Sequence, residues 1–74
     1  MKRDKVKSSN IVSIGWEKGF LEVEFNSGTY RYEGVPEHIY RSLMESESKG
    51  KFIASMVKPL YRASKIPALA LPPV

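Results

Sequence analysis

The chain has 74 residues, with 12 lysines and arginines against 8 acids, 1 histidine, no cysteine and a formal charge of +4. That length holds one domain with a thin stability margin, and the missing thiols, with a single imidazole, exclude disulfides and any cysteine- or histidine-built metal site. No apolar run approaches the roughly 20 residues that span a bilayer, and no signal-peptide core follows the basic N-terminus, so the expected setting is cytoplasmic, without membrane, metal or cofactor.

Residues 1–7 are dominated by charge and are expected to form a mobile basic N-terminus. Ile11 to Trp16 is β-branched and partly alternating, which predicts a first strand with Val12, Ile14 and Trp16 on one face. Glu17-Lys18-Gly19 reads as a short turn. Phe20 to Phe25 then alternates cleanly, setting Leu21, Val23 and Phe25 on a dry face against Glu22 and Glu24 on a wet one. Asn26-Ser27-Gly28 is a hairpin connection, so Thr29 to Val35 should return antiparallel as the third strand.

Pro36 suits a helix start, Glu37 complements the positive helix end, and Ile39, Tyr40, Leu43 and Met44 recur at helical spacing. Ser46-Glu47-Ser48-Lys49-Gly50 ends that helix. A second helical pattern begins near Lys51 with Phe52, Ile53, Met56, Val57 and Leu60, and Pro59 stops or kinks it. Residues 63–74 form an apolar, proline-punctuated tail expected to run extended. The expected fold is therefore α+β: a three-stranded antiparallel β-meander followed by two short helices and an extended apolar C-terminal tail. The domain proper occupies residues 8–62.

Charge is segregated along the chain. Lys2, Arg3, Lys5 and Lys7 face only Asp4 at the start, while residues 17–47 hold 7 glutamates against Lys18, Arg31 and Arg41. Beyond Glu47 come Lys49, Lys51, Lys58, Arg62 and Lys65 with no acid. A basic end of this kind attracts phosphate, and the acidic middle limits indiscriminate polyanion binding.

The order Ser9-Asn10-Ile11, Ile14-Gly15-Trp16, Leu21 to Gly28, Tyr30-Arg31-Tyr32, Gly34-Val35-Pro36 and Ser48-Lys49-Gly50-Lys51-Phe52 resembles the KTSC domain family over about residues 8–61. The family's hallmark is a Tyr-x-Tyr motif in mid-domain. Its members stand at the C-terminus of some lysyl-tRNA synthetases and also alone, as small bacterial and phage proteins. The resemblance implies this fold and, through the synthetase association, contact with RNA; it implies no enzymatic activity. Phe52-Ile53-Ala54 departs from the Tyr-Phe-Asn expected in many relatives, so no role is carried over to those positions.

Taken as chemistry, Tyr30 and Tyr32 share a strand face and offer rings that stack on a base, each typically worth about 1–3 kcal/mol. The competing assignment packs both under the first helix with Ile39 and Leu43. Arg31 lies on the opposite face, where cross-strand pairing with Glu22 or Glu24 is favoured over phosphate contact. Ser48-Lys49-Gly50-Lys51 reads as a loop ahead of a helix, an arrangement that can receive an anion, with Gly50 serving either the ligand or the cap. It lacks the first glycine of a Walker A loop, and Phe52 stands where the hydroxyl belongs. Lys58 and Arg62 extend the cation field and would align on any helix continuing through Pro59. Trp16 is either core or a stacking platform. For catalysis the serines lack a base and His38 sits on an exposed helical turn, and Glu22 with Glu24 would make only a weak cation site.

These readings converge on a non-catalytic module that binds an anionic nucleotide-type ligand through Tyr30, Tyr32, Lys49, Gly50, Lys51, Lys58, Arg62 and Trp16. The ligand would be RNA, or a small nucleotide, including a cyclic dinucleotide, sequestered as phage sponge proteins do. In that case the compartment is the bacterial host cell. The alternative is a structural or protein-interaction domain without nucleotide ligand. The apolar tail further predicts a homo-oligomer, dimer or tetramer, that covers it.

Overall fold

The computed structural model describes residues 2–66. Within them one antiparallel sheet runs in chain order: β1 (Asp4–Lys5), β2 (Ile11–Glu17), β3 (Phe20–Phe25), β4 (Gly28–Tyr32) and β5 (Ala63–Ile66). Two helices, α1 (Glu37–Glu45) and α2 (Lys49–Phe52), lie between the last two strands, and α2 runs on as a single π turn at Ile53–Val57.

The expected three-stranded meander is thus corrected to five strands. β2, β3 and β4 are the expected core of the sheet, joined by two-residue turns whose flanks pair Glu17 with Phe20 and Phe25 with Gly28. Lys18 and Gly19 both take positive φ, 50° and 86°, which gives the first turn the twist that matches its strands. β1 adds Asp4 opposite Ile14 and Lys5 opposite Ser13, and β5 adds four residues, from Ala63 opposite Tyr32 to Ile66 opposite Thr29. Neither added strand carries a strand signature of its own. What recruits them is the row of main-chain donors and acceptors left open along the outer edges of β2 and β4. The expected extended tail lies outside the described residues from position 67 onward, and with it most of the apolar strip behind the oligomer expectation.

A second correction concerns β2. Ile11 pairs with Phe25 and Ser13 with Glu24, so Val12 is the extra residue of a β-bulge. The bulge shifts the alternation: Ile11 and Ile14 both turn inward, whereas Val12 is 37% exposed. The inner face of the sheet carries Ile11, Ile14, Leu21, Val23 and Tyr32, and Val35, Leu43, Ile53 and Val57 close over it to complete one core.

Glu22 was expected to be wet and is 6% exposed. Its carboxylate accepts from Arg31 Nη2 at 2.6 Å and Nε at 3.0 Å, the cross-strand pair foreseen, and from Arg3 Nη1 at 3.3 Å. The Arg3 segment reaches it by crossing Gly15, where an added Cβ would stand 2.5 Å from the Lys2 carbonyl oxygen and 2.7 Å from Arg3 Cγ. Only glycine permits that approach. Among the described residues no helix is long and apolar enough to cross a membrane.

Candidate functional site

The fold brings the tip of the β3–β4 hairpin against the start of α2. Asn26 donates its backbone N–H to the Asn10 carbonyl at 3.0 Å and its side-chain amide to the Ser9 carbonyl at 2.9 Å, which pins residues 8–10 beside the hairpin tip. Between this wall and residues 47–51 lies a cleft of about 780 Å³, lined on the cationic side by Lys7, Lys49, Lys51 and Lys58. Glu47 is its single acid, and serine hydroxyls and the Asn10 amide supply neutral polar groups. A smaller hollow of about 340 Å³ adjoins it, lined by Phe25, Ser27, Tyr30, Tyr32, Lys58 and Ala63. Phe25, Ser27 and Lys58 belong to both.

The expected anion-binding loop is the first turn of α2: Lys49, Gly50 and Lys51 are helical. Lys49 Nζ donates to the Ser46 carbonyl at 2.9 Å, at the end of α1, so its charge caps that helix while its side chain borders the cleft. Gly50 lies near Asn10, whose Nδ2 would be 4.0 Å from a Cβ at that position. Lys51 and Lys58 project from the helical segment into the cleft. Lys58 Nζ sits 5.5 Å from the centroid of the Phe25 ring, a cation–π contact.

The helix does not continue through Pro59. The Lys58 N–H bonds to the Ile53 carbonyl at 2.8 Å, five residues back, and the Ser55 hydroxyl donates to the Lys51 carbonyl at 2.9 Å. A proline at position 59 has no N–H for the Ser55 carbonyl and its ring would collide with it, so the last turn widens and ends. Arg62 therefore does not align with Lys58. Its carbonyl accepts from the Glu33 N–H at 2.9 Å, and it lines neither hollow.

The two tyrosines part company. Tyr30 is half-buried and packs edge-on to Phe25, with ring centroids 5.9 Å apart and planes at 71°. Tyr32 is 2% exposed, within the core, and its phenol pKa is raised from the ordinary 10.0, chiefly by burial and further by Tyr30. Trp16 is remote from the cleft: its ring stacks on Tyr40 at 6.0 Å, and its Nε1–H donates to the Val35 carbonyl at 2.8 Å. That hydrogen bond and stack make it a fastener for α1.

Sequence reasoning missed Lys7, Asn10 and Phe25 as lining residues. Phe25 had a signal: it ends β3 on the tyrosine face, next to a turn. Lys7 and Asn10 had none, because the bulged entry to β2 that places them has no pattern of its own.

A family model for the KTSC domain matches residues 7–61. An uncharacterized protein of Stutzerimonas stutzeri is 44% identical over 64 residues, covering 82% of this chain and 90% of the relative. A protein of Tsukamurella paurometabola is 38% identical over 61 residues, covering 78% and 91%. Among solved structures, the crystal structure of a KTSC domain protein from Yersinia pestis superposes with a TM-score of 0.85 at 39% identity, covering 89% of this chain and 97% of that one.

Proposed function

The chain belongs to the KTSC domain family, and from that premise we propose that it is a non-catalytic binding module for an anionic nucleotide-type ligand, held in the cleft between the hairpin tip and α2. The observation that carries the reading is the meeting of Lys7, Lys51 and Lys58 with the Phe25 and Tyr30 rings across two joined hollows. Cations there answer phosphate, rings answer a base, and hydroxyls with the Asn10 amide answer sugar and base edges. Tyr32 is buried in the core and Lys49 donates to the carbonyl at the end of α1, so neither is assigned direct contact.

Two sources share this chemistry: RNA, and a small or cyclic nucleotide that the protein sequesters. Fluorescence anisotropy with a labelled single-stranded RNA and calorimetry with cyclic di-AMP, each across a salt series, separate them. RNA spanning several cations gives a steep fall of affinity with salt, and a ligand of two phosphates a shallow one. Lys51→Ala is expected to weaken whichever ligand binds by about tenfold or more while circular dichroism stays native, in line with the loss of one charged hydrogen bond. Absence of binding by both ligands at millimolar concentration removes the reading.

A second reading, a protein-interaction domain, draws on Met56 and Leu60, apolar side chains 42% and 63% exposed on the helical side. Recovery of one defined protein partner, lost in Leu60→Asp, together with no nucleotide binding, selects it. Homo-oligomerisation is retained as a proposal, tested by light scattering on the full chain and on one ending at Ile66.

A further inference from the structure

The two hollows differ in chemistry and meet at one cation. The larger holds Lys7, Lys49 and Lys51 against one acid, Glu47, together with neutral polar groups; the smaller is aromatic, with Lys58 as its single charge among the described residues. Lys58 stands where they join and is held there by the Phe25 ring face, while the ion pairs among the described residues, Arg3–Glu22, Arg31–Glu22 and Arg41–Glu37, leave it out. A phosphate oxygen competes well against that contact, because a charge-assisted hydrogen bond is stronger than an exposed cation–π pair.

Resting on the nucleotide reading above, we infer that the site reads a dinucleotide step. The linking phosphodiester sits on Lys58, one base enters the aromatic hollow against Tyr30, and the neighbouring nucleoside lies in the polar cleft by Lys51 and Asn10. A mononucleotide can fill one hollow or the other but cannot span the junction. When Lys58 turns to the phosphodiester it leaves the face of Phe25, which then becomes available to the base in the smaller hollow. The ligand class is therefore defined by a phosphodiester-bridged pair of nucleosides, whether in an RNA strand or in a cyclic dinucleotide.

Charge and the step make opposite predictions for two simple probes. AMP carries the larger negative charge, whereas ApA carries a single phosphodiester charge between two nucleosides. Calorimetry on the full chain is expected to show ApA binding at least tenfold more tightly than AMP. Lys58→Met, which keeps the aliphatic stem over Phe25 and loses only the exposed cation–π contact, should bring ApA to within threefold of AMP with a melting temperature lowered by no more than about 8 °C. Binding of AMP as tight as ApA, or an ApA affinity untouched by Lys58→Met, overturns the step while leaving nucleotide binding in place. Silence with AMP, ApA, an adenylate octamer and cyclic di-AMP alike overturns both. The octamer binding more tightly than cyclic di-AMP assigns the source to RNA, and the reverse order assigns it to the small nucleotide.

Discussion

Tyr32 carries the clearest consequence at the scale of single residues. Its ring fills the core beside Leu21 and Val35, so Tyr32→Ala is expected to cost about 3 kcal/mol of stability, as large-to-small core replacements do, and denaturant unfolding measures it. Loss of ligand affinity in that variant would follow from unfolding. The phenol also titrates late, because burial disfavours its anion. With the folded pKa above the unfolded value of 10.0, its contribution is complete below that pH and is lost as pH rises through the folded value. Tyr32→Phe should therefore lose less stability than the parent above pH 10.0, read as a difference in chemical denaturation midpoints. Glu22 shows why residue-level reading has limits. Alternation placed it on the outer face, which is correct, but that face is roofed by Arg3, a residue whose sequence surroundings announce nothing but charge.

At the scale of elements, the legible parts were those with a period and a punctuation mark. β3 alternates without interruption between Gly19 and Gly28, and α1 has Pro36 before it and helical apolar spacing within it. The bulge at Val12 was hidden because a slip of one residue leaves a run of β-branched side chains that fits either phase. The start of α2 was hidden because Gly50 is a poor helix former, and the turn is held by side-chain contacts such as that from Lys49 to the Ser46 carbonyl. One of these contacts can be tested. Lys49→Met removes the donor to the Ser46 carbonyl and is expected to lower stability by about 0.5–1 kcal/mol, measured by thermal melting. Nucleotide affinity should change less than twofold, in contrast to Lys51→Ala and Lys58→Met.

The whole molecule depends on its ends more than the sequence announces. Cutting the chain after Arg62 looks from sequence like trimming a tail, yet it removes all of β5 and uncovers the edge of β4 that carries Tyr30 and Tyr32. Such a truncation is expected to lower the melting temperature by roughly 8–16 °C, the shift that about 2 kcal/mol produces in a domain of this size. Because the strands follow one another across the sheet in order, the first and the fifth stand at opposite margins, about 19 Å apart at the usual strand spacing. Tension applied through those two strands in a single-molecule pulling experiment loads the outermost ladders first. The margin at Asp4–Lys5 has only two residue pairs to resist and should rupture at low force, ahead of the rest of the sheet.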